Sequence, residues 1–183
     1  MVNTYRLVNP HIKGEFKNSL KTKNSIEAGK KFYKSLSEHF NNNIPEFYFT
    51  IQKGSSGSGK YYHFKVKEER EGEEVNFSIE PYKIKGEKKA ITKFNGGLEK
   101  FINKVGGAKK KKRKTKKKKD SDSDLDDDSS DDYYTRASTY IPSVNYPIYY
   151  WWYDPYLYNL NSIYIPTFYA YVTPYIEIAL TNL

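Results

Sequence analysis

Apolar and polar residues alternate in several short stretches of the first hundred positions, and apolar residues recur at helical spacing in two others. "TYRLVN" from Thr4 and "EFKNSL" from Glu15 alternate around the turn-prone "NPHIKG", which predicts a hairpin. A helix comes next: Asn24 is placed to cap it, Glu27 sits three residues on as in a capping box, and Ile26, Tyr33, Leu36 and Phe40 share one face. "NNNIP" ends that helix, because the residue before Pro45 is steered away from helical angles. "EFYFTIQK" and "YYHFKVKEE" then predict two strands. In the second, Tyr62, Phe64 and Val66 point one way and His63, Lys65 and Lys67 the other, so a basic row faces outward. Val75, Phe77 and Ile79 predict a further strand, and Phe94, Leu98, Phe101, Ile102 and Val105 a short closing helix weakened by Gly96 and Gly97.

The loop between the two strands, "GSSGSGK", matches the G-x-x-x-x-G-K part of a phosphate-binding loop at Gly54, Gly59 and Lys60. Tyr61 stands where the pattern needs the Ser or Thr hydroxyl that ligates magnesium. The residues after Lys60 have period 2 rather than a helical pattern, so the stretch reads as a hairpin loop and Lys60 as a cation at its end.

Composition narrows the function classes. Only 37% of the 183 residues are hydrophobic and 17% are aromatic, which leaves material for one modest core. The absence of cysteine removes disulfides, thiolate metal sites and a cysteine nucleophile, and fits a reducing compartment. His11, His39 and His63 are scattered without metal-ligand spacing. The N-terminus lacks the apolar run of a signal peptide, so an intracellular location is expected. With no Ser-His-Asp order, paired carboxylates or complete phosphate loop, no enzyme, cofactor, metal or small-molecule substrate is expected.

The net charge of +9 is a sum of unlike blocks: +8 over residues 1–107, +10 over 108–119, −8 over 120–132 and −1 over 133–183. Ten cations in "KKKKRKTKKKK" repel one another and cannot form a core, so this run is expected to stay extended and to bind polyanions by releasing their counterions. A nuclear-localisation signal or a solubilising linker reads from the same letters. The acidic "DSDSDLDDDSSDD" beside it acts either as an electrostatic brake on that binding or simply as a solvated linker. Ser121, Ser123, Ser129 and Ser130 are its phosphorylation candidates. No EF-hand loop fits, since its glycine and terminal glutamate are missing.

Residues 133–183 hold 13 of the 19 tyrosines, both tryptophans and five prolines. Prolines that close together predict extended edge-strand or polyproline-like pieces. Asn159, Asn161, Ser162, Thr167 and two prolines interrupt any apolar run long enough to span a bilayer. The aromatic cluster Tyr149, Tyr150, Trp151, Trp152 and Tyr153 is therefore read as an anchor for a protein partner, with packing onto the chain's own module as the alternative. Base stacking is a third use, disfavoured because the segment's one cation, Arg136, makes no electropositive groove.

Hairpin, amphipathic helix, "FYFTIQKGSSGSGK" and "YYHFKVK", in that order over roughly residues 5–80, resemble the archaeal monomeric chromosomal protein family. The resemblance implies curved sheets with one helix that bind and bend duplex DNA. Lys67 stands where that family has a DNA-wedging tryptophan, and "EEREGEE" where it has a basic arm. The whole chain is also similar to uncharacterised proteins of large cytoplasmic DNA viruses of protists.

These readings combine into an α+β expectation: a small curved antiparallel sheet with one amphipathic helix over 1–107, a disordered charged linker over 108–132, and an extended Tyr/Pro-rich interaction tail over 133–183. The expected function is sequence-nonspecific binding and packing of duplex DNA, in a virion if the chain is viral and otherwise in the nucleus. The phosphate contacts expected on the module are Arg6, Lys13, Lys53, Lys60, His63, Lys65 and Lys67. Those expected on the arm are Lys109, Lys110, Lys111, Lys112, Arg113, Lys114, Lys116, Lys117, Lys118 and Lys119. A structural virion component, with the aromatic tail as its purpose, and a nuclear-targeted regulator are the alternatives.

Overall fold

The computed structural model describes residues 2–54, 59–71, 74–105, 138–140, 148–168 and 174–180. Five antiparallel strands make a curled half-barrel: β1 (Asn3–Asn9), β3 (Ser19–Thr22), β4 (Glu46–Lys53), β5 (Tyr61–Glu71) and β6 (Glu74–Tyr82). Their order is β3-β1-β4-β5-β6, and the short β7 (Ser138–Tyr140) extends the β6 edge. A second sheet, β2-β8-β9, is built from β2 (His11–Gly14), β8 (Ile148–Tyr153) and β9 (Tyr175–Ile178). Among the described residues two α-helices pack with these sheets, α1 (Ser25–Ser37) and α2 (Glu87–Val105).

The local pattern explains most of the first sheet. Asn24 caps α1 by accepting the Glu27 N–H at 2.8 Å, and the Glu27 carboxylate reaches back to the Lys23 N–H at 3.2 Å. The helix buries Ala28, Phe32, Tyr33 and Leu36 against Phe49, Phe64, Phe77 and Ile79, the inward residues of β4, β5 and β6. The glycine loop joins antiparallel β4 to β5, with the Lys53 N–H donating to the Lys60 carbonyl at 2.9 Å. Any side chain at Gly59 would collide with the Lys53 carbonyl oxygen, 1.6 Å from where its Cβ would lie. The glycine thus serves the hairpin, and no helix follows it to cradle phosphate.

Two expectations are corrected by partners that lie far away in sequence. "PHIKG" is not merely a turn: His11–Gly14 pairs with β8 from the other end of the chain. The interaction tail is not a separate extended element either. β8 is the central strand of its sheet, antiparallel to β2 and parallel to β9. Pro155 follows β8 at the start of a 3-10 turn (Pro155–Tyr158), where its missing N–H breaks no ladder.

Trp151, Trp152 and Tyr153, expected as anchors for a partner, lie in the chain's own core. Trp151 packs edge-on against Phe40 at 5.8 Å, Trp152 stacks on Phe101 at 5.8 Å, and Tyr153 stacks on Phe47 at 5.3 Å. The physical reason is supply: aliphatic residues are scarce, and these rings fill the space that they would otherwise fill. Tyr149 remains exposed and Tyr150 half-buried. α1 stops at Ser37, ahead of the expected "NNNIP", and Asn41 and Asn42 beyond it hold the tail, Asn41 donating to the Phe168 carbonyl at 2.9 Å and Asn42 to the Ile165 carbonyl at 3.1 Å. α2 starts four residues earlier than its apolar spacing suggests, and Gly97 lets Trp152 approach it: a Cβ there would meet Trp152 Cζ2 at 3.3 Å.

Candidate nucleic-acid interface

The outward row of β5 is less basic than its letters. Lys65 is paired with Glu46 at 2.8 Å and lies over the Tyr48 ring at 5.6 Å, and Glu46 raises its pKa. Burial and the same carboxylate push the Tyr48 phenol up to about 12. Lys67 is exposed but sits opposite Glu46 in the β4–β5 register, and Lys65 sits opposite Glu80 of β6. A phosphate approaching this row meets carboxylates as well as ammonium groups.

His63 is corrected outright as a phosphate contact, because it is buried under the tail. The tail's Asp154 N–H donates to Asn9 Oδ1 at 3.0 Å, which fixes the Asn9 amide so that its Nδ2 donates to the Tyr158 hydroxyl at 2.9 Å. Tyr158 is then free to donate to Thr50 Oγ1, and Thr50 to His63 Nδ1, both at 2.8 Å. That ordering puts the His63 proton on Nε2, 3.5 Å from a Glu87 carboxylate oxygen. Burial lowers the His63 pKa, an effect that Glu87 partly offsets, so the neutral ring fits the chain of donors. Carboxylate, imidazole and hydroxyl stand here in the order of a nucleophilic relay, but Thr50 is fully buried and no substrate reaches its oxygen.

The other expected module cations are scattered. Lys53 and Lys60 flank the glycine loop, with Lys60 over the Tyr62 ring at 5.6 Å. Arg6 donates to Gln52 Oε1 at 3.4 Å. Lys13 lies on the second sheet, over the Tyr150 ring at 5.6 Å. The cations Lys109–Lys119 and the serines Ser121, Ser123, Ser129 and Ser130 lie outside the described residues.

The acidic "EEREGEE" has an internal use instead. Glu68 faces α1, where its carboxylate accepts the Tyr33 hydroxyl at 2.5 Å and Arg70 Nε at 2.7 Å. Arg70 also donates to the Ser37 carbonyl at 2.8 Å, at the last residue of α1, and to the Phe40 carbonyl just beyond it at 3.2 Å.

What the apolar spacing of α2 leaves unsaid is its polar face. The helix carries five lysines against two glutamates, and Lys89, Lys93, Lys100 and Lys104 recur on one side, away from the buried Phe94 and Phe101. Reading the lysines at helical period, as for the apolar residues, finds this stripe in the sequence. Opposite it stand the 3-10 turn and β9. Two clefts of about 350 and 590 Å³ lie between, both lined by Lys93, Asp154 and Tyr156, so they form one trough along the helix. Lys93 lies over the Tyr156 ring at 5.9 Å and Lys104 over Tyr175 at 5.8 Å, and Lys104 pairs with Glu177 at 2.8 Å. Among the described residues no cluster of three potential metal ligands occurs, and no helix is long and apolar enough to cross a membrane.

The chain is similar to the uncharacterised protein L492 of Acanthamoeba polyphaga mimivirus, 40% identical over 86 residues. That stretch is 46% of this chain and 46% of the viral protein, so the match spans about half of each; the homology is distant and is to a viral protein. No family model and no solved structure matches.

Proposed function

We propose that this protein binds DNA without sequence preference and without catalysis, as an architectural or packing protein of a large DNA virus. The observation that carries the reading is the lysine face of α2, whose helix ends at Val105, four residues before the run Lys109–Lys119 begins. Lysines on a helix face and in a homopolymer attract phosphate as point charges and read no bases, which suits packing rather than regulation. The strand–helix–strand order and curled sheet are what the resemblance to archaeal chromosomal proteins implies, and the mimivirus relative supports a viral setting.

The test keeps the whole chain, because ending it before residue 148 removes Trp151, Trp152 and Tyr153 from the core. Duplex affinity is measured across a salt series for the native chain, for a chain with Lys109–Lys119 replaced by serine and threonine, and for Lys89→Gln/Lys100→Gln. Each lost phosphate contact flattens the log–log slope by about 0.9, so the serine replacement is expected to flatten it by several units. Equal slopes in all three chains overturn the reading and favour a structural virion component.

A further inference from the structure

We propose that the trough between α2 and the tail holds one single nucleic-acid strand, its phosphates on the α2 lysines and its bases against Tyr156 within it and Tyr175 at its edge, beside Glu177. The proposal goes beyond duplex binding and stands on its own geometry. The tail alone has rings but almost no cations; the fold places α2 beside it and supplies them. Lys89 to Lys104 spans about 22 Å at the helical rise, room for a track of several phosphates.

The two carboxylates in the trough are already engaged. Asp154 accepts the Tyr156 N–H at 3.0 Å, and Glu177 accepts from Lys104 and, at 3.1 Å, from the Tyr175 hydroxyl. Lys85, Lys89, Lys93, Lys100 and Lys104 line the trough against Asp154 and Glu177, so it keeps a positive surplus. Its helix wall is bare at Gly96, where an added Cβ would meet nothing within 4 Å, so a sugar-phosphate backbone can come close.

The rings decide between one strand and two. Tyr156 is 36% exposed and Tyr175 48%, each beside a lysine. A duplex keeps its base faces inside the stack and gains nothing from such rings, whereas an unpaired strand offers a face at every base. Cations in line with half-open aromatic rings are the two elements that binding of single strands without sequence preference requires.

The experiment measures anisotropy of a labelled oligothymidylate of about 10 nucleotides and of a duplex of about 20 base pairs with the full chain. Tyr156→Leu and Tyr175→Leu are expected to weaken oligothymidylate binding by about fivefold or more each, the low end for one lost stack, and to leave duplex binding unchanged. Tyr156→Phe keeps the ring and is expected to bind as the native chain does. Lys93→Gln/Lys100→Gln, both away from the core, is expected to flatten the oligothymidylate salt slope by about 1.4. The proposal is overturned if the native chain does not bind oligothymidylate, or if both leucine variants bind it within about twofold of the native chain while the lysine pair leaves the slope unchanged. Loss of duplex binding alone, with the tyrosine effect intact, removes the packing reading and leaves this one standing.

Discussion

On the face of the main sheet that carries α1, a buried carboxylate is handled by pairing; on the opposite face, buried polarity is handled by a chain of neutral hydrogen bonds. Glu68 lies in the first setting with Arg70 and Tyr33, and His63 in the second with Thr50, Tyr158 and Asn9. Both sit on β5 within six residues, and the pleat sends them to opposite sides. A charge at that depth is tolerable only with its counter-charge in place, whereas a neutral ring asks only that its donors and acceptors match. The two faces should therefore fail differently.

The largest break is at Arg70. Arg70→Ala leaves Glu68 buried without its cation and removes a donor from the Ser37 carbonyl and from the Phe40 carbonyl beyond α1, with an expected loss of about 3–5 kcal/mol in urea unfolding. Glu68→Met in the same chain should recover much of it; a loss below about 1 kcal/mol for Arg70→Ala would mean that the pair behaves as an exposed one. Tyr158→Phe removes the hydroxyl that Asn9, Thr50 and the tail share, and should cost about 1–3 kcal/mol with no change in the α1 face. Native-state hydrogen exchange checks that division, since protection should fall at Thr50 and His63 and hold at α1.

The smallest effect is a pH dependence that belongs to the neutral chain. The folded-state pKa of His63 is lowered from 6.5 by burial, so the unfolded chain binds the proton first as the pH falls. Stability from this source is present above about pH 6.5 and is lost progressively as the pH drops toward the lowered folded value. His11 acts in the same direction, through burial and the nearby Arg6 and Lys13. His63→Gln should remove part of the decline in the urea midpoint between about pH 7 and pH 5, and His11→Gln a separate part. A native midpoint that stays level over that range would refute the lowered pKa of both rings.

The same contrast governs the basic surfaces. Lys65 has its charge matched by Glu46, while the exposed Lys100 of α2 makes no ion pair among the described residues. A count of lysines weighs the two equally; their neighbours do not.

Period and punctuation in the sequence were enough for β1, β4, β5 and β6, the Asn24 cap of α1, the hairpin nature of the glycine loop and the existence of α2, because each depends on residues within about one turn or one pleat of one another; β3 lies at Ser19–Thr22, beyond most of the expected Glu15–Leu20 strand. The row of Lys65 and Lys67 was legible for the same reason. Only the tertiary structure decided that Trp151, Trp152 and Tyr153 face inward, that "HIKG" is a strand, that His63 is sealed and Glu68 paired, and that the tail meets the lysines of α2. These depend on contacts such as Asn9 to Tyr158, 149 residues apart, for which no local spacing exists. An aromatic stripe records that a surface will be buried. Which surface covers it is settled when the chain closes on itself.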